Sequence, residues 1–169
     1  MELYNQEMGL QEDTLKGRYL LFAISDAVYG MEIRHVTEII GMQPINKLPE
    51  TPPHIKGVIN LRGKIIPVID MRIRFKKSEA DFTDRTCIVV VETRYFSAGL
   101  IVDEVAEVLT IDDSDIAPPP QFEVGASARY ISGIGKVNDE VKLLIDCASL
   151  FTEEEAQEIE GIEERGLEK

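Results

Sequence analysis

A mainly β fold assembled from two copies of one unit is what this 169-residue sequence predicts. Three observations carry that reading: the chain repeats itself, its apolar runs are short and divided by turn residues, and helix signals are confined to a few places. Sliding the sequence by 76 positions lays HIKGVINLRGKIIPVIDMRIRF (54–75) over YISGIGKVNDEVKLLIDCASLF (130–151). Ile55/Ile131, Gly57/Gly133, Ile69/Ile145, Asp70/Asp146 and Phe75/Phe151 are then identical. Val58/Ile134, Leu61/Val137, Ile65/Val141 and Val68/Leu144 exchange one aliphatic for another. Upstream, RYLLFAISDAVYGMEIRHVTEII (18–40) resembles RTCIVVVETRYFSAGLIVDEVAEVL (85–109), with Gly30 on Gly99, Val36 on Val105 and Glu38 on Glu107.

Each copy follows one plan. A strand, a turn and a second strand come first, then a bulged or briefly helical segment. There Ile33, Val36, Ile39 and Ile40 are spaced to share one face of a short helical turn. A proline-bearing link follows, PETPP (49–53) in the first copy and PPP (118–120) in the second. Two β-branched runs then form a hairpin, ending at Asp70 or Asp146, where an aspartate is suited to cap a short helix. Five or so short strands per copy suggest two small β-barrels, with copies spanning about 18–75 and 85–151 and a crossover at 76–84. Neither copy is large enough to be comfortably stable alone, so the two are expected to share a hydrophobic core. Beyond Phe151, Thr152 and Glu155 have the spacing of a capping box, opening a helix expected to fade by Gly161. The acidic end of 152–169 is expected to fray, and 1–17 to be a flexible N-terminal segment.

Composition narrows the function. Hydrophobic residues make up 44% of the chain, enough for a real core, and the formal charge of −13 disfavours bulk attraction to nucleic acid or anionic membrane. That charge is unevenly spread: residues 18–77 carry ten bases against five acids, and residues 78–151 five bases against fourteen acids. Two cysteines, Cys87 and Cys147, without paired spacing give neither a disulfide framework nor a Cys-based zinc site. His35 and His54 have no companions at metal-ligand spacing. There is no phosphate-cradling GxxxxGK[ST] loop and no nucleophile elbow, and GIGKV (133–137) has no helix after it. No apolar run approaches membrane-spanning length, and the N-terminus is acidic and polar, unlike a signal peptide. The expectation is a cytoplasmic binding protein with no catalytic residue, metal or cofactor and no direct membrane insertion.

The repeat also serves as an internal control. Positions alike in both copies are explained by fold, which assigns Gly57/Gly133 to tight packing or positive φ and Asp70/Asp146 to helix capping. The hairpin tips differ. Asn60, Arg62, Gly63 and Lys64 stand where the second copy has Lys136, Asn138, Asp139 and Glu140. Asn-Asp is ordinary turn chemistry, whereas Leu-Arg-Gly is not the easiest way to turn a chain. Arg62 is either a solvated side chain, paired with an acid such as Glu38, or a residue that faces a partner. The run Arg62, Lys64, Arg72, Arg74, Lys76, Lys77 could contact phosphates, so a small nucleic-acid-binding β-barrel is the alternative. With no Trp and 7% aromatics, however, no stacking ladder accompanies the charge. A basic face meeting an acidic protein surface fits better.

The order YG-M-E-I…V-x-E-I (29–39), followed by P-x-x-I-K-G-V-x-N-L-R-G-x-I-x-P-V-I-D-x-R (52–72), resembles the CheW family of bacterial chemotaxis coupling proteins. The resemblance runs from about Arg18 to Phe151, and the K-G-V-x-N-L-R-G hairpin with its P-V-I-D is highly specific. The CheA kinase carries a domain of the same fold, but this chain has no room for kinase domains or for an appended receiver. The resemblance implies two SH3-like five-stranded barrels around a common core. It also implies a non-enzymatic adaptor, recruited to membrane-associated arrays, that couples the cytoplasmic tip of methyl-accepting chemoreceptors to the regulatory domain of CheA. Carried over residue by residue, the implied partner-binding or supporting positions are Val36, Glu38, Gly57, Arg62 and Gly63, with Val108 in the second copy. The acidic tail after Phe151 lies outside what the resemblance explains.

Overall fold

A computed structural model describes residues 16–78, 80–119 and 130–167; the expectation for the N-terminal segment falls almost wholly outside them. Among the described residues the chain is mainly strand. The elements are β1 (Arg18–Ile24), β2 (Ala27–Glu32), β3 (Val36–Gly41), β4 (Ile55–Leu61), β5 (Lys64–Asp70), α1 (Met71–Arg74), β6 (Cys87–Glu92), β7 (Ser97–Val102), β8 (Glu104–Thr110), β9 (Ile116–Ala117), β10 (Ile131–Val137), β11 (Glu140–Ile145) and α2 (Glu153–Leu167).

They form two sheets, ordered β8-β1-β2-β11-β10-β9 and β3-β6-β7-β5-β4. The sheets are not the copies. Each sheet takes its central hairpin from one copy and its flanking strands from the other: β1-β2 lies among strands of copy two, and β6-β7 among strands of copy one. The junctions are the parallel pairs, Tyr29↔Leu143 to Met31↔Ile145 in the first sheet and Val68↔Gly99 to Asp70↔Ile101 in the second. All other pairings are antiparallel. The repeat therefore builds a pseudo-symmetric pair by reciprocal exchange of hairpins, and neither copy owns a complete sheet.

The apolar runs explain the exchange. In β1, Leu20, Phe22 and Ile24 enter a core shared by both sheets, while Tyr19 and Leu21 enter a smaller cluster with Ile111 and Leu144. In β6, Val89 and Val91 enter the shared core, while Ile88 and Val90 join Ile59, Ile66, Val68 and Ile101. Strands apolar on both faces need cover on both, and a central place supplies it. The shared core draws on both copies, including Tyr29, Met31, Ile55, Ile69, Phe75, Leu100, Tyr130, Ile145 and Phe151. Burying such a side chain contributes about 2 kcal/mol.

Local chemistry starts the helical pieces. The Asp70 carboxylate accepts from the Arg72 amide at 2.9 Å, opening α1, and the Asp146 carboxylate accepts from the Ala148 amide at 3.1 Å, opening a 3-10 turn over Cys147–Ser149. Thr152 and Glu155 satisfy each other's amides reciprocally, at 3.0 and 3.1 Å. Two expectations change. The helix α2 passes Gly161 and continues to Leu167. Its capping box, three glutamates in the first turn and the buried Ala156 and Ile159 outweigh the ~1 kcal/mol that one interior glycine costs. The helical turn read from Ile33, Val36, Ile39 and Ile40 shrinks to a 3-10 turn over Ile33–His35. Val36–Gly41 is strand, because β-branched residues favour pairing with β6.

Candidate functional site

Leu61 pairs with Lys64, so Arg62 and Gly63 alone turn the β4–β5 hairpin, at φ 52° and 87°. Val137 pairs with Glu140, and Asn138 and Asp139 turn the β10–β11 hairpin at φ 50° and 65°. Both are the two-residue, positive-φ loop that suits the twist of paired strands. Asn, Asp and Gly accept such angles readily; an arginine there costs about 1 kcal/mol. Arg62 therefore occupies its slot against backbone preference.

Three side-chain interactions surround this tip. The Asn60 side-chain oxygen accepts from the Gly63 amide at 2.8 Å, Arg62 is ion-paired to Glu38, and Lys64 Nζ donates to Ser97 Oγ at 2.9 Å. The Arg62 side chain stays 71% exposed and that of Glu38 29%. A pair so open to water adds only about 0.5 kcal/mol, less than the strain of the turn. Its value to the molecule is orientation rather than stability.

Glu38 reaches Arg62 because the second sheet curls. The strands β3 and β4 are its two edges, yet the ion pair spans them. The chain leaving β3 also returns to β4, where Asn46 and Val58 exchange two backbone hydrogen bonds of 2.9 Å. Gly57 makes that return possible. It is buried at a bulge in β4 with φ 147°, and a Cβ there would lie 2.2 Å from the Asn46 carbonyl oxygen. Its twin Gly133 also lies at a bulge, under β9, with a would-be Cβ 3.0 Å from Ile116 Cγ2 and 3.1 Å from the Ala117 carbonyl oxygen.

A third bulge separates two candidates that sequence alone places on one face. Val36 stands opposite Val91, a residue of the shared core; Glu38 stands opposite Val90, on the other face of β6. Val36 thus lines the seam between the sheets while Glu38 turns to the tip. The structure brings Glu38, Arg62 and Gly63 together, keeps Gly57 beneath the return segment, and sets Val36 on the seam. Val108 lies in the other sheet, opposite Leu20 and 41% exposed. Ile39, its counterpart in copy one, is 45% exposed opposite Val89; the sequence places it on an apolar stripe but not among the partner-binding positions. The signal available was its place next after the paired Glu38 and Glu107. A separate cleft of about 460 Å³ lies near the start of β4, lined by Met42, Pro44, Ile45, Lys56 and Phe82.

Most of the basic run is engaged internally. The guanidinium of Arg72 grips the Asp103 carboxylate at 2.8 and 2.5 Å, and the same carboxylate accepts from the Ser25 amide. Arg74, with a side chain 7% exposed, grips Glu155 at 2.5 and 2.7 Å, donates to the Leu150 carbonyl and lies over the Tyr130 ring. With Arg62 and Lys64 also held by protein groups, the nucleic-acid reading gains no phosphate-facing stripe. Burial pushes the Glu155 carboxyl up, but hydrogen bonds from Arg74 and the Thr152 amide outweigh it and pull it to about 2. Burial and then the Arg74 charge hold His54 below its ordinary value, against the pull of Glu155. Burial, then Asp146 and Glu92, push the Cys147 thiol up to about 12, which suits an apolar packing role. Cys87 is shifted up mainly by burial. Among the described residues no three His, Cys, Asp or Glu side chains gather to hold a metal ion, and no helix is long and apolar enough to cross a membrane.

These features define a class: a two-sheet, SH3-like β-module whose exposed turn and edge strand are held in place by side-chain clamps. The CheW-like domain model matches residues 18–155, and the chain belongs to that family of chemotaxis scaffolding and coupling proteins. It is 31% identical over 153 residues to the chemotaxis protein CheW of Klebsiella aerogenes, covering 90% of this chain and 92% of that one. It is 35% identical over 138 residues to a probable chemotaxis protein CheW of Rhizobium etli, covering 82% and 89%. The crystal structure of the scaffolding protein TtCheW from Thermoanaerobacter tengcongensis superposes with a TM-score of 0.76 at 38% identity, over 82% of this chain and 94% of that one.

Proposed function

We propose that this protein is an adaptor that couples methyl-accepting chemoreceptors to the histidine kinase CheA, acting in the cytoplasm and recruited to receptor arrays at the membrane. The observation that carries this reading is the pair of hairpin tips. One backbone turn occurs twice, and only in the first copy does it hold a strained, mostly exposed arginine paired with Glu38. Arginine suits a docking role because its planar fork can bind one carboxylate and still offer donors and a face to another group. Glu38, Arg62 and Gly63 form the contact surface. Gly57 supports it from beneath, while Val36 supplies apolar contact along the seam and Val108 an exposed apolar contact on the edge strand β8. A receptor helix would lay apolar side chains against such a seam. Interfaces of this kind are modest, so each contact should be roughly micromolar, with arrays adding strength through multivalency.

Calorimetric titration with the isolated regulatory domain of a CheA kinase from the same organism, and then with a receptor-tip fragment, tests the reading. Saturable one-to-one binding to either is expected. Arg62→Ala should weaken binding roughly tenfold, about 1.4 kcal/mol, while the melting temperature stays nearly constant. Silence with both titrants, separately and together, would sink the adaptor reading.

A further inference from the structure

We propose that Thr37 and Asn60 are positioning residues for the Arg62–Glu38 pair, Thr37 by fixing the β3 bulge that turns Glu38 toward the tip and Asn60 by fixing the turn that holds Arg62 at positive φ. The binding consequences rest on the docking role of Arg62; the positioning itself does not.

Thr37 is the extra residue of the β3 bulge, and its hydroxyl donates to the Val90 carbonyl at 3.0 Å across to β6. In an unbroken strand Val36 and Glu38 would share a face. The bulge, pinned by this hydroxyl, sends them to opposite faces. Asn60 acts at the other partner: its side-chain oxygen takes the Gly63 amide at 2.8 Å, tying the far end of the two-residue loop to the strand before it.

The second copy is the control. Its β8 strand carries the same bulge, with Val105 opposite Phe22 and Glu107 opposite Leu21, but the extra residue is Ala106, which has no side-chain donor. Its turn has the same positive φ angles, but Lys136 stands in place of Asn60 and cannot accept a hydrogen bond. The fold therefore forms both the bulge and the turn without either clamp. Asn138 and Asp139 tolerate the left-handed region unaided; Arg62 does not. Both clamps occur only in the copy that has an arginine to aim, and both residues are exposed, so neither is needed to fill the core.

The test uses the full chain with Thr37→Val, which keeps shape and loses the hydroxyl, and Asn60→Ala, with Thr37→Ser and Asn60→Asp as rescues. Hydrogen exchange of the Gly63 amide should quicken about tenfold or more in Asn60→Ala and recover in Asn60→Asp. The NMR signal of the Arg62 guanidinium should move to that of a free side chain in Thr37→Val and return in Thr37→Ser. Titrated with the kinase regulatory domain, each unclamped variant should lose roughly fivefold to tenfold in affinity, and nothing further in an Arg62→Ala background. Unchanged Gly63 exchange and Arg62 signal would overturn the proposal, as would equal affinity losses with and without Arg62. If Arg62→Ala itself binds like the wild type, the docking reading fails while the two NMR measurements still decide the positioning role.

Discussion

At the β10–β11 tip, Asn138 and Asp139 take positive φ angles with residue types that accept them readily; at the β4–β5 tip, Arg62 takes the same region at a cost. The same contrast runs through both copies. After β5, Arg72 and Arg74 reach across to Asp103 and Glu155, whereas the corresponding positions after β11 are Ala148 and Leu150. Backbone features that recur, the bulges at Gly57 and Gly133 and the caps at Asp70 and Asp146, belong to the fold. Charges that appear once do other work: two arginines lock the halves together, and a third faces outward.

The largest test of this division is at the paired glycines. Gly57→Ala should cost about 4 kcal/mol or prevent folding, since its Cβ would meet the Asn46 carbonyl oxygen at 2.2 Å in a positive-φ conformation. Gly133→Ala, with neighbours at 3.0 and 3.1 Å, should cost about 1 kcal/mol. Urea denaturation of both variants measures the difference, and equal losses would remove the distinction between the copies there.

The Arg74 clamp comes next. Arg74→Leu, which gives copy one the residue of copy two, should cost about 3 kcal/mol by removing the guanidinium that grips the half-buried Glu155 carboxylate. Adding Glu155→Gln, which drops the charge but still accepts from the Thr152 amide, should recover part of that loss. The same cluster sets an acid limit. In the folded protein Glu155 is pulled down to about 2 and His54 is lowered. In both cases the unfolded chain binds the proton first, so stability falls as the pH drops. The His54 contribution fades below its ordinary value, and that of Glu155 fades from the ordinary carboxylate range down to about 2. Thermal melts across this range should show a decline that Glu155→Gln flattens at its acid end.

The smallest effect is the most diagnostic. Arg62→Asn should raise stability by about 0.5–1 kcal/mol by relieving the turn, while weakening the partner. A variant that gained stability and kept full affinity would leave the arginine without a purpose at the tip.

Much of this was legible in the residues. Caps and hairpins could be read because their chemistry is local: Asp70, Asp146 and the Thr152–Glu155 pair act within three residues of themselves. The special tip was legible because its twin exposed it. Strand order was not, since a repeat reveals which strands are equivalent but not which copy each will pair with. The charge imbalance was visible, but its use as cross-copy clamps needed the exchanged sheets. The bulge at Thr37 hid the divergence of Val36 and Glu38, and Ile39 looked like core until the edge of the sheet was seen.

The exchange of hairpins also bears on how the molecule is made. A chain leaves the ribosome from its N-terminus, so the β1–β2 hairpin emerges before the strands that flank it. Its partner strands come much later, β8 81 to 92 residues on and β11 114 residues on, and the first sheet cannot be completed until Ile145 is out. Until then a hairpin apolar on both faces waits uncovered, a period in which chaperones or translation speed have most to protect.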